Sequence, residues 1–211
     1  MWGDFWAERG YVALLVDSFG PRDHVRGFLA GSIGNRPREV SEKDVRPLDA
    51  YGALAWLRSQ ADLRDGPIAL HGWSNGAMAA LWAMSERMLK QVRLSASDGF
   101  CAALAFYPGC SRLVQEQPDY RPYAPILMLL AGQDEEVNPR TCETFGQQVH
   151  VNSNGSQFQL YTYPGAEHSF DHPDKAGHHN AFARDDAKRR AATFMEQYVR
   201  RAYSSSVSPS D

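Results

Sequence analysis

The sequence lacks an excess of charge of either sign. Its 22 Lys and Arg face 25 Asp and Glu, a formal net charge of −3. That balance gives no electrostatic footprint for nucleic acid or an anionic membrane surface. The arginines near the C-terminus are interspersed with acids and alanines and read as one solvated helix face. No apolar run reaches the roughly 18 residues of a membrane helix. The opening MWGDFWAERG carries acids and no basic segment, so it does not read as a signal peptide. Cysteine is scarce: Cys101, Cys110 and Cys142 are an odd number without a CxxC pair. This argues against a disulfide framework and a structural zinc site. Small buried thiols are the expectation, and one bridge is the alternative. Repeats are absent, and low complexity is confined to the Ser-rich tail 204–211, which is expected to be disordered behind a single domain over 1–203.

What is present suits a globular domain with a real core: 211 residues, 43% apolar and 22% charged. Short apolar runs alternate with helical patterns. Residues 11–16 (YVALLV) form a continuous apolar run, as expected of a strand covered on both faces. Ser41, with Asp44 three residues on, predicts a helix running to about Arg58, its apolar face made by Val45, Leu48, Tyr51, Leu54 and Leu57. Further strands are predicted at 67–70 (PIAL), 101–107 (CAALAFY), 126–130 (ILMLL) and 158–163 (FQLYTY). A buried helix is predicted from Gly76 to about Met88, and another from the Asn138-Pro139 start toward Val149. A last one spans about 180–202, with Ala187, Ala191, Phe194, Met195 and Tyr198 as its stripe. This alternation implies an α/β fold, a mainly parallel sheet with helices on both faces. Such sheets place their chemistry at the carboxyl ends of the strands.

Three residues meet that condition. Gly72-Trp73-Ser74-Asn75-Gly76 is a GxSxG pentapeptide between a predicted strand and a predicted helix, the setting of a nucleophile elbow. There the turn is so tight that both flanking positions must be glycine to avoid clashes. The helix N-terminus and the Asn75 N–H favour a developing negative charge. A serine hydroxyl needs a base, and the base an orienting acid. Asp134 follows ILMLL and His168 follows FQLYTY, in the chain order Ser, Asp, His. Each has competitors: Glu135 and Glu136 for the acid, His172, His178 and His179 for the base. His168, Asp171, His172, His178 and His179 also cluster in sequence but lack a recognised metal-ligand spacing, so no metal is expected. Trp73, Phe19 and Tyr107 are candidate pocket walls by position, with a plain core role as the alternative. Arg22 is a candidate contact for an acidic substrate, with a surface salt bridge as the competing reading.

On GYVALLVDSFGPR, GWSNG, PILMLLAGQDEEVNP and YPGAEHSFDHP, which together span nearly the whole chain, the sequence resembles the dienelactone hydrolase family of α/β-hydrolases. The resemblance implies Ser74 as nucleophile, Asp134 as acid and His168 as base. It departs in three places. Dienelactone hydrolases proper carry cysteine where this chain has Ser74. The arginine that helps hold a substrate carboxylate four residues after the histidine is replaced by His172. The family's N-terminal strands and HG-type loop, which bring the second oxyanion N–H, precede the helix that ends in MWGDFWAERG. The fold is therefore expected to lack its usual N-terminal strands, with residues 11–16 and 67–70 either pairing directly or leaving edges that invite homo-oligomers.

The expected activity is hydrolysis of a small ester, lactone or similar acyl substrate, without metal or cofactor and without nucleic-acid or membrane partners. The alternative is a truncated, weakened or inactive hydrolase-like binding domain. The compartment stays open: cytoplasmic for a genuine start, periplasmic or secreted if a segment precedes it.

Overall fold

The computed structural model describes residues 1–29, 35–153, 158–174 and 180–200. Helix α1 (Trp2–Ala7) opens the chain, followed by a long irregular stretch and α2 (Arg46–Ser59). Then come β1 (Ala69–Trp73), α3 (Asn75–Ala83), α4 (Glu86–Gln91), β2 (Ala102–Phe106) and α5 (Ser111–Glu116). The chain continues through β3 (Ile126–Ala131), α6 (Pro139–Asn152), β4 (Phe158–Tyr163) and α7 (Ala181–Met195), which ends in a π-helical turn, Glu196–Arg200. The four strands form one parallel sheet in the order β1-β2-β3-β4.

Strand alternation sorts the core into two layers. Ala103 and Ala105 of β2, with Ile126, Met128 and Leu130 of β3, face α2, α3 and α6. Ala102, Leu104 and Phe106, with Leu127 and Leu129, face α1 and α7. The alanines of β2 leave room for α3, where Asn75 and every residue from Ala77 to Ala83 are buried. Both faces of β2 and β3 are covered, which is why these strands read as unbroken apolar runs.

Most elements fall where the sequence places them, with shifted ends. The helix expected from Ser41 begins at Arg46: Ser41 Oγ instead accepts the N–H groups of Lys43 (3.3 Å) and Asp44 (3.1 Å) in a turn, and Pro47 fits the first helical turn. Leu48, expected on its apolar face, is 42% exposed. The helix expected over 76–88 is two, because Ser85 caps a fresh start by accepting the Met88 N–H at 3.1 Å. Cys110 and Cys142, expected as free thiols, form a disulfide that joins the start of α5 to α6; Cys101 stays free. The tail 204–211 lies outside the described residues.

The main correction concerns residues 11–16. They form no strand, and among the described residues no backbone hydrogen bond reaches 12–16. Direct pairing with β1 does not occur, and β1 is the edge of the sheet. An apolar run becomes a buried strand only where a neighbouring backbone pairs with it. Without one, Val12 and Leu15 are 70% and 74% exposed.

Helix α1 docks through its indoles. Trp2 Nε1 donates to the buried carboxylate of Asp171 (2.6 Å), and Trp6 Nε1 donates to His71 Nδ1 (3.2 Å). Since Nδ1 accepts, the proton of a neutral His71 sits on Nε2, which has no hydrogen-bond partner among the described residues and no solvent contact. The ring packs at a tilt against Trp73 and Phe106, at centroid distances of 3.8 and 4.9 Å. Desolvation in this aromatic setting holds the His71 pKa well below its ordinary value.

Two predictions follow from this packing. Leu15→Lys should change stability by less than about 0.5 kcal/mol, whereas Leu104→Ala should cost about 2–5 kcal/mol. Urea unfolding reads both, and a loss of several kcal/mol from Leu15→Lys would show that residues 11–16 are packed. His71 is neutral when folded but binds a proton below about pH 6.5 when unfolded. Its contribution is therefore complete above that pH and declines as pH falls, by at most about 1.4 kcal/mol per pH unit. The difference in urea midpoint between the wild type and His71→Gln should shrink from pH 7.5 to pH 5. A constant difference would contradict a neutral buried imidazole.

Candidate active site

Ser74 stands alone between the end of β1 and the start of α3, at φ 51° and ψ −119°. This backbone region is unusual for a residue with a side chain, and here the turn is held from both ends. The Ser74 N–H donates to Phe106 O (2.9 Å), and its carbonyl accepts the Met78 N–H (3.0 Å). A Cβ at Gly72 would lie 2.3 Å from Gly76 O, so strand and helix approach at a separation that only glycine permits. The expectation that both flanking positions need glycine is corrected at Gly76, where a Cβ would meet only Arg46 Nη2, at 3.6 Å.

Asn75, buried at the first position of α3, has its backbone N–H in the turn that lacks intrahelical acceptors. Its side-chain Oδ1 accepts a hydrogen bond from Arg46 Nη1. Burial, with Arg36 nearby, lowers the Arg46 pKa. Among the described residues Asn75 Nδ2 and Arg46 Nε have no hydrogen-bond partner and no solvent contact. Sequence reasoning missed Arg46; an arginine opening a helix gives no signal that it holds the first residue of another helix 29 positions away.

Asp134 and His168 leave the carboxyl ends of β3 and β4 in adjacent loops. Gly132 N–H donates to Tyr163 O and Gln133 N–H to Ala166 O, both at 2.8 Å. A Cβ on Gly132 would lie 2.7 Å from Pro164 Cα, so the loops cross at a distance that excludes a side chain. Asp134 Oδ1 accepts the N–H groups of Glu136 and Val137, each at 3.0 Å, which aims Oδ2 at His168 Nδ1, 2.7 Å away. A carboxylate can only accept, so Nδ1 carries the proton and Nε2 presents a lone pair. That nitrogen lies 2.8 Å from Ser74 Oγ. Asp134 and His168 are sealed from solvent, with side chains 1% and 2% exposed, while Ser74 stays partly open.

The competing residues separate cleanly. Glu135 accepts the His168 backbone N–H at 3.3 Å and so engages the loop. Glu136 Oε2 lies 3.8 Å from His168 Nε2. His172 is exposed, with Nδ1 accepting the Asp174 N–H at 3.3 Å, while His178 and His179 lie outside the described residues. Among the described residues no group of His, Cys, Asp and Glu could hold a metal ion.

The proposed contacts fare unevenly. Phe19 packs under the Arg46 guanidinium, 4.7 Å from its ring centroid, and so stands beside Asn75. Tyr107 has the surroundings of the alternative, a core role. It is 4% exposed, meets the His168 ring edge-on at 4.8 Å, and donates its hydroxyl to Asp171 at 2.6 Å. Trp73 packs with His71 and Phe106 in the core layer under α1. Arg22 makes a bidentate pair with Asp49, at 2.7 and 2.9 Å, so the salt-bridge reading is the one its geometry supports. Asp171 was weighed only as a metal ligand; its part as the buried acceptor behind Tyr107 was not visible in the sequence.

The dienelactone hydrolase family model matches residues 3–199. Among curated proteins no sequence matches the chain. Solved structures with the same fold include a protein from Klebsiella pneumoniae assigned as a dienelactone hydrolase. It has 18% identity and a TM-score of 0.55, over 75% of this chain and 63% of that one. The Pyrococcus furiosus esterase Pf2001 matches at 15% identity and a TM-score of 0.54, over 79% and 66%. Thermogutta terrifontis esterase 2, phosphonylated by cyclosarin, matches at 19% identity and a TM-score of 0.56, over 74% and 65%. The chain thus spans just under two thirds of the length of these structures. Identities this low establish the fold; the match over residues 3–199 establishes more, and the chain belongs to the dienelactone hydrolase family.

Proposed function

We propose that the protein is a serine hydrolase of a small ester, lactone or similar acyl substrate, acting through an acyl-enzyme on Ser74. The observation that carries this reading is the chain of contacts Ser74 Oγ–His168 Nε2–His168 Nδ1–Asp134 Oδ2, at 2.8 and 2.7 Å, with the acid and base shielded from water. Family membership supports it, as does the esterase relative that a phosphonate modifies covalently.

In this reading Ser74 Oγ attacks the carbonyl carbon while its proton passes to His168 Nε2. The imidazole becomes a cation, stabilised by Asp134. The charge on the carbonyl oxygen is taken up at the N-terminus of α3, with the Asn75 N–H as donor. Collapse of the tetrahedral species expels the alcohol, which receives the proton from Nε2. Water then enters, gives a proton to the same nitrogen and attacks the acyl carbon, and Ser74 leaves with the proton restored. Two protons pass through Nε2, the Ser74 proton leaving with the alcohol and the proton of water being restored to Ser74, so the protein needs no external acid. Arg46 acts on this sequence indirectly, by fixing Asn75.

A fluorophosphonate probe tests the reading by mass. The wild type should gain one adduct and Ser74→Ala none. Asp134→Asn should hydrolyse p-nitrophenyl acetate with kcat reduced by about 10⁴-fold, because the acid no longer selects the Nδ1–H tautomer. A folded wild type that takes no adduct would favour a hydrolase-like binding domain.

A further inference from the structure

We propose that Glu136 is a second carboxylate for the His168 imidazolium, acting at the nitrogen that exchanges the proton with Ser74. The inference rests on the serine-hydrolase reading and adds to it a positioning residue that acts through His168. Glu136 Oε2 lies 3.8 Å from His168 Nε2, with its side chain 17% exposed. That distance exceeds a hydrogen bond, so Glu136 does not displace the Ser74 hydroxyl, 2.8 Å from the same nitrogen. It is nonetheless within the range at which opposite charges favour one another's ionised forms.

The placement is built in. The N–H of Glu136 donates to Asp134 Oδ1 at 3.0 Å, so the acid that orients the imidazole also pins the backbone carrying the second carboxylate. The result is an imidazole with one carboxylate at each nitrogen, Asp134 at Nδ1 and Glu136 at Nε2. When the proton leaves Ser74, the positive charge arises between them.

The other groups facing His168 are accounted for. Glu135 engages its backbone N–H. Tyr107 meets the ring edge-on, and burial with Asp171 beside it raises its pKa well above the ordinary value, so it stays neutral in the working range. Asp171 accepts from Tyr107 and Trp2. Arg36 interacts electrostatically with Glu136, and Arg46 holds Asn75. The contact of Glu136 with the ring is at Nε2.

The test is the pH dependence of the fluorophosphonate labelling rate in the wild type, Glu136→Gln and Glu135→Gln. Removing the charge of Glu136 makes the protonated ring less favourable. The acid limb of the Glu136→Gln profile should therefore move to lower pH by about one unit, while that of Glu135→Gln moves much less. A Glu136→Gln limb that coincides with the wild type in a folded protein overturns the inference and leaves the hydrolase reading standing. If the wild type takes no probe, the hydrolase reading fails. The imidazole titration of His168, followed by nitrogen NMR in the wild type and Glu136→Gln, then still decides. A midpoint lowered by about one unit in the variant supports the pairing, and coincident midpoints overturn it.

Discussion

Two backbone hydrogen bonds, from Gly132 to Tyr163 and from Gln133 to Ala166, clasp the loop after β3 to the loop after β4. Asp134 and His168 are 34 residues apart in sequence, and side-chain attraction alone is a poor means of holding two long loops in register. Because β3 and β4 are adjacent and parallel, their loops emerge side by side, and the clasp fixes them before either side chain is placed. The narrow crossing at Gly132 has the same effect. Asp134 then uses one oxygen on its own loop, through Glu136 and Val137, and the other on the imidazole. The geometry of the base thus derives from backbone pairing, which is less tolerant of drift than a chain of side-chain contacts.

A second line of support reaches the same loop from the opposite end of the chain. Asp171, three residues beyond His168, accepts from Trp2 of α1 and from Tyr107 beyond β2. Tyr107, held at a positive φ of 39°, turns its ring edge toward His168. The imidazole is therefore backed by an aromatic whose hydroxyl is anchored to the histidine's own loop. A buried carboxylate with two donors is adequately compensated, and removing either donor would leave a charge in an apolar layer. The first helix is consequently part of the architecture of the site, although it contributes no residue to the proposed chemistry.

The four strands, the elbow and the order Ser74, Asp134, His168 were legible because each depends on local signals: apolar runs, glycine spacing and the residues just past strand ends. Residues 11–16 misled for the converse reason. Their pattern suits a strand in a covered sheet, but pairing depends on a neighbour that no local pattern reports, and here they lie exposed. The Cys110–Cys142 bridge was hidden by the odd cysteine count and a separation of 32 residues. Arg46, Asp171 and Glu136 share a further difficulty. Each acts through a partner brought near by topology, and charged residues of these types are common enough on solvated surfaces that composition does not single them out. Arg22 shows the reverse case, where the ordinary salt bridge is what the fold contains.

The contrast between His71, in the middle of β1, and His168, just past β4, shows what distinguishes a packing residue from a base. His71 is three residues before Ser74, closer in sequence than His168. Its Nδ1 accepts from an indole and its Nε2 has no hydrogen-bond partner among the described residues, inside a layer of Trp2, Trp6, Trp73 and Phe106. No carboxylate is positioned to stabilise a proton there, and burial alone opposes the charge. His168 is no more exposed, yet it has a carboxylate at Nδ1, another at 3.8 Å from Nε2, and a hydroxyl within hydrogen-bond reach of that same nitrogen. Burial is common to both, so it is the disposition of oxygen atoms around the ring that separates them. A residue whose task is to become charged briefly must be surrounded in advance by groups that suit the charged form, because the interior has no water to supply that response when the proton moves.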